Sequence, residues 1–141
     1  MRHKLTNPEQ FILAGNATFT MVDTRTDTRY TYRVRKGKQE TAPHFVSVMY
    51  GPNNETDYRY MGAIFNRAEY RTTKNSKINA GDPRNKYFQA TWIKRIQLPK
   101  FIEIWHEGTC GKCGRKLTVP ESIESGLGPW CSGQIKKGGK K

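Results

Sequence analysis

The sequence predicts an α+β fold. An antiparallel β-meander of four to six strands is packed by one amphipathic helix and followed by a C-terminal, treble-clef-like zinc finger. Three observations predict it. Between Ala17 and Phe65, short runs alternate apolar and polar residues and are separated by turn residues. From Asp82-Pro83 onward, aromatic residues recur at helical spacing. Beyond Trp105, all three cysteines and a histidine fall close together. The chain of 141 residues divides as an α+β domain over 1–100, a finger over 101–135 and a basic tail over 136–141. Hydrophobic content of 35% and a mean hydropathy of −0.84 leave a modest core, which a metal staple would suit.

In chain order, the first ten residues are polar and basic, a loose start. Phe11 to Ala14 is a short apolar element ended by the turn dipeptide Gly15-Asn16. Ala17 to Val22 reads as a strand, with Ala17, Phe19 and Met21 on one face. After a polar turn over 23–27, Arg29 to Arg35 alternates again. Tyr30, Tyr32 and Val34 take one face of that strand, and Arg29, Thr31, Arg33 and Arg35 the other. Together the two runs form a predicted hairpin. His44 to Tyr50 is the third strand, with His44 in a structural or surface role. Gly51-Pro52-Asn53-Asn54 is an emphatic turn. Tyr58 to Phe65 is the fourth strand, with Tyr58, Tyr60, Gly62 and Ile64 set against Arg59, Met61, Ala63 and Phe65. Gly62 within it predicts a bulge or a close approach.

Glu69 to Thr73 offers a short fifth strand, and Lys74 to Gly81 reads as a flexible basic loop. Asp82 as N-cap and Pro83 at the first helical position start a helix over 83–97. Phe88, Trp92 and Ile96 form its apolar stripe, with Phe88 and Trp92 assigned to the core. Leu98-Pro99 stops it, and the run Phe101 to Trp105 is a last strand that delivers His106.

His106, Cys110, Cys113 and Cys131 follow the spacing H-x3-C-x2-C-x17-C. Four such donors suffice for one closed, tetrahedral structural zinc ion, with no open position for catalysis. A CxxC knuckle aims two thiolates at one ion, and Gly108, Gly111 and Gly114 allow the backbone its turn. Pro129 at a helix start puts Cys131 in a first turn, where partial positive charge favours a thiolate. Thr118 and Glu121 make a capping box for the segment between, and Gly126 ends it. A disulfide with one thiol left over fits poorly with an odd count and no secretory signal. A thioredoxin-type redox pair lacks its βαβ surroundings.

The run from His106 to Cys131 resembles the C-terminal signature of a domain-of-unknown-function family found in phage and mobile-element proteins. The matching positions include His106, Gly108, Cys110, Cys113, Gly114, Arg115, Leu117, Thr118, Pro120, Ser122, Gly128, Pro129 and Cys131. The resemblance implies a phage or mobile-element origin and a zinc-binding tail. It implies no activity.

Charge bears most on function. Lys and Arg number 25 against 12 Asp and Glu, a net +13 with a pI near 9.9. The terminal lysines at 136, 137, 140 and 141 supply four charges, so +9 remains in the rest. Such a chain is expected to meet DNA or RNA first and an acidic protein surface second. Successive members of Arg29, Arg33 and Arg35 sit about 7 to 14 Å apart along one strand face, a spacing suited to a phosphate backbone or to an ordinary solvated face. Lys74 and Lys77 in the basic loop, and Arg115 and Lys116 in the finger, complete the candidate contacts. No paired-carboxylate motif and no glycine-rich phosphate loop appears, so no catalysis is expected. With no apolar run near 18 residues and no signal peptide, a soluble cytoplasmic protein is expected, without a membrane partner. The expectation is therefore a zinc-stabilised, phage-encoded nucleic-acid-binding accessory protein. The alternative is a phage interaction factor that binds and inhibits or redirects a host complex. Cys110→Ser is expected to lose bound zinc and lower the thermal unfolding midpoint, read by metal analysis and calorimetry.

Overall fold

The computed structural model describes residues 3–5, 7–52 and 57–106. Cys110, Cys113, Cys131, Arg115 and Lys116 lie outside the described residues, as does the lysine tail. Among the described residues, seven strands form one antiparallel sheet in the order β1-β7-β2-β3-β4-β5-β6. They are β1 (His3–Lys4), β2 (Asn16–Asp23), β3 (Thr28–Lys36), β4 (His44–Met49), β5 (Tyr58–Phe65), β6 (Glu69–Arg71) and β7 (Ile102–His106). The meander predicted from the sequence is β2 to β6. Two additions bring the sheet to seven strands: the two-residue β1, and β7, which pairs with the first strand of the meander. Strand β7 is the last strand that the sequence reading places at 101–105, shifted by one residue.

Two helices cover one face. Helix α1 (Pro8–Ile12) has Asn7 as N-cap, its side chain accepting from the Gln10 N–H, and proline at its start. The Asn-Pro pair carried that signal in the sequence, and the apolar run behind it concealed it. Helix α2 (Pro83–Ile93) begins as expected at Asp82, whose side chain accepts from the Arg84 N–H at 2.9 Å. It ends four residues before the expected Gln97. Arg95 explains the early stop: its Nη1 donates to the Trp92 carbonyl at 2.9 Å, its guanidinium lies 4.1 Å from the Trp92 ring, and its Nε donates to Glu9. The Trp92 carbonyl is thereby bonded by both the Arg95 side chain and the Arg95 backbone N–H at the helix end. Ile96 consequently leaves the predicted stripe and stands 84% exposed. The buried stripe is Asn85, Phe88, Thr91 and Trp92, half of it polar.

The core lies between the helices and the inner sheet face. Phe19, Met21, Tyr32, Val34, Val46, Val48, Ile64 and Ile104 line the sheet side. Phe11 and Ile12 of α1 and Phe88 and Trp92 of α2 close it. His44 also faces inward, buried, with its Nε2 3.1 Å from the Leu13 carbonyl.

Strand β5 carries the one register shift. Val46 pairs with Gly62 and Ser47 with Tyr60, so Met61 is an extra residue. This is a β-bulge, and it reverses the facing of everything before it. The expected alternation kept Tyr58 and Tyr60 with Gly62 and Ile64. In the fold, Gly62 and Ile64 face the core, while Tyr60 opposes Ser47 and Tyr58 opposes Met49 on the outer face. Gly62 also meets a close approach: a Cβ there would stand 2.6 Å from Tyr70 Oη and 2.7 Å from the Arg71 carbonyl.

Gly62→Ala is therefore expected to cost about 1–3 kcal/mol, because the backbone carbonyl cannot yield as a flexible side chain would. Denaturant unfolding measures it. A pH dependence follows from His44. Burial, ahead of the neighbouring Arg67 and Lys36 charges, holds its imidazole below the usual 6.5, while the Leu13 hydrogen bond opposes this. Above about 6.5 both states leave it neutral and its contribution is intact. As pH falls from there through the lower folded-state value, the unfolded chain takes up the proton first and stability drops. His44→Gln is expected to flatten that decline in unfolding scans between pH 7 and 5.

Candidate nucleic-acid interface and metal ligand

The sheet face turned away from the helices collects cations and aromatic rings. Strand β3 contributes Arg29, Arg33 and Arg35, as its alternation predicts. The three differ in what engages them. Arg29 pairs with Asp27 in the preceding turn at 3.2 Å. Arg33 is half-buried, its guanidinium 3.9 Å from the Tyr58 ring. Arg35 is exposed. Of the three, Arg35 is the one for which neither an ion pair nor a ring contact is found among the described residues.

Other residues extend the face across the sheet instead. Arg35 stands opposite Phe45 on β4, Phe45 opposite Ala63 on β5, and Ala63 opposite Arg71 on β6. Phe45 is 40% exposed and meets Tyr60 edge-on, with ring centroids 6.1 Å apart. Arg71 lies 4.3 Å from the Phe65 ring and pairs with Glu69 at 2.7 Å. Sequence alternation alone placed Tyr60 on the other face. The signal that could have moved it was Gly62, read together with the face reversal that a bulge imposes.

Lys74 and Lys77 are both exposed, on the expected basic loop, which makes several hydrogen bonds. The Lys77 N–H donates to the Tyr60 carbonyl at 2.8 Å. The Thr73 N–H donates to Ser76 Oγ at 2.9 Å, and Tyr60 Oη lies 3.1 Å from Thr73 Oγ1. Ile78 is buried, and Asn85 donates to the Ile78 and Asn79 carbonyls. The loop therefore runs along β5 past Tyr60 before dropping Ile78 into the core. Its lysines border the aromatic pair.

Titratable groups also meet at the far end of β2. Buried Asp23 accepts from Arg25 Nη2 at 3.0 Å and Nε at 3.3 Å, and this hydrogen bonding, ahead of burial, holds its carboxyl below the usual range. The Arg25 guanidinium lies 3.5 Å from the Phe101 ring. Burial pushes the neighbouring Tyr87 phenol well above its usual range. These groups line a cleft of about 280 Å³ with Thr91 and Lys94.

At the opposite end, β7 carries His106. It pairs with Phe19 of β2 on one side and His3 of β1 on the other. The His106 side chain is fully buried, its ring 5.5 Å from that of Phe11. Strand pairing on both flanks fixes the position of this imidazole. Among the described residues no group of three or more His, Cys, Asp or Glu gathers that could hold a metal. None of the helices among them is long and apolar enough to cross a membrane.

No curated protein and no solved structure matches the chain. A family of unknown function, DUF6011, matches residues 105–136, less than a quarter of the chain. The match takes in His106, Cys110, Cys113 and Cys131, and agrees with the resemblance read from that stretch to a domain-of-unknown-function family.

Proposed function

We propose that the protein is a zinc-stabilised nucleic-acid-binding accessory protein of phage or mobile-element origin, with a binding rather than a catalytic role. One observation carries the reading: on a chain of net charge +13, exposed Arg35 and Arg71, the latter shared with Glu69, lie in one cross-sheet row with Phe45, and exposed Lys74 and Lys77 stand on the loop that runs beside Tyr60. Cations that neutralise phosphates release counterions, and that release supplies most of the affinity of a sequence-tolerant binder. Arg115, Lys116 and the terminal lysines would add to the same field from the finger. The origin rests on the resemblance of the His106–Cys131 run.

In this reading His106, Cys110, Cys113 and Cys131 hold one structural zinc ion. The fixed, buried imidazole at the end of β7 supports a finger docked at the rim of the core. When bound, the metal supplies a cross-link between the sheet and the chain beyond it, with no open coordination position.

Mobility shifts with single-stranded DNA, duplex DNA and RNA across a salt series test the proposal on zinc-loaded protein. Binding is expected to weaken steeply with salt, and the Lys74→Ala/Lys77→Ala pair to reduce the logarithmic slope by about 2. A flat salt response, or no retention at low salt, overturns it. A second reading, an interaction factor that binds and inhibits or redirects a host complex, draws support from Ile93 and Ile96. These are 70% and 84% exposed at and just beyond the end of α2. Capture from host lysate with and without nuclease separates the two: a partner that survives nuclease favours the second.

A further inference from the structure

We infer that the outer sheet face takes single-stranded rather than duplex nucleic acid, with an unpaired base stacked on Phe45 beside Tyr60. This rests on the nucleic-acid reading above and adds the strandedness of the ligand and the seat of a base.

The seat is built before any ligand arrives. Phe45 is held edge-on by Tyr60, and Tyr60 in turn by its hydroxyl contact with Thr73. On the opposite side the chain at Gly37 closes in: a Cβ there would stand 3.1 Å from Phe45 Cε2. A ring fixed on both flanks loses little freedom when a base covers it. Ala63, the residue opposite Phe45 on β5, adds only a methyl group between that ring and the Arg71 strand. The 40% exposure of Phe45 is therefore a flat apolar surface in a cationic rim, not a scattered surface hydrophobe.

The rim matches a strand that carries phosphates past a stacked base. Arg35 and Arg71 stand three strands apart in one cross-sheet row, about 14 Å at the usual strand spacing. Lys74 and Lys77 border the Tyr60 side. A single strand offers such a surface both of its recognition elements, the face of an unpaired base and the backbone charge. A duplex offers only the second, because its bases are stacked on one another. Its major groove, about 12 Å wide, admits a helix or a two-stranded ribbon, whereas this row spans four strands of a wider sheet. Phosphate contact alone would leave Phe45 facing water, so the aromatic pair adds affinity only where a base is free to stack.

Fluorescence anisotropy on the full zinc-loaded chain tests this with three labelled probes: oligo-dT, oligo-U and a duplex DNA hairpin of equal charge. The expected result is tighter binding of at least one single-stranded probe than of the hairpin. Phe45→Ala is expected to weaken that single-strand binding about fivefold or more while leaving hairpin binding unmoved. Phe45→Leu, which keeps apolar bulk and guards against a folding defect, is expected to follow Phe45→Ala. Equal affinity for the hairpin overturns the inference. So does single-strand binding that neither Phe45 variant weakens; in that case the broader nucleic-acid reading stands. If none of the three probes is retained at low salt, both fail.

Discussion

The fold depends on how Phe88 is enclosed. Its ring lies 5.1 Å from Tyr32, 4.8 Å from Tyr70 and 6.3 Å from Trp92, which ties α2 to β3 and β6 at one point. Each neighbour also carries a polar end with a defined destination. Tyr32 donates to the Arg84 carbonyl at 2.7 Å, Tyr70 to Asn85 at 2.7 Å, and Trp92 to the Ala68 carbonyl at 2.8 Å. Apolar contact would hold the helix against the sheet in several rotations. Three hydrogen bonds in a water-poor setting select one of them. A chain with so modest an apolar fraction gains more from such fixed aromatic contacts than from sheer area.

The outer face inherits that order. Asn85, set by Tyr70, draws in the carbonyls of Ile78 and Asn79. The segment before Ile78 is thereby kept against β5, where its backbone meets Tyr60. The path runs from a core ring through a buried amide to a surface tyrosine. It relates the packing of α2 to the position of residues on the opposite side of the sheet, with no direct contact needed between them.

Much of this was legible in the sequence, and the failures have physical causes. The β2–β3 hairpin could be read because one face is apolar and the other arginine-rich, so period two is explicit at Tyr30, Tyr32 and Val34. Asp82-Pro83 announced α2, whereas its end could not be read, because the cap comes from a long arginine folding back on Trp92. The partnering of β7 with β2 is a contact between distant parts of the chain, on which local pattern is silent. The cysteine spacing remains a sequence argument. The structure adds only that His106, the expected first donor, is buried and lies on a strand paired on both sides.

Met61 has a consequence of a different kind. Side-chain facing along a strand is a matter of parity, odd or even, and one supernumerary residue changes the parity of everything on one side of it. Strand β5 therefore serves two clients: its C-terminal half follows the core in phase, and its N-terminal half follows the surface. The aromatic content of a short, basic chain can then be divided between packing and display without a longer strand or a separate element. Removing Met61 would set Tyr60 directly before Gly62 in plain alternation, keeping both tyrosines outside at the loss of one buried side chain.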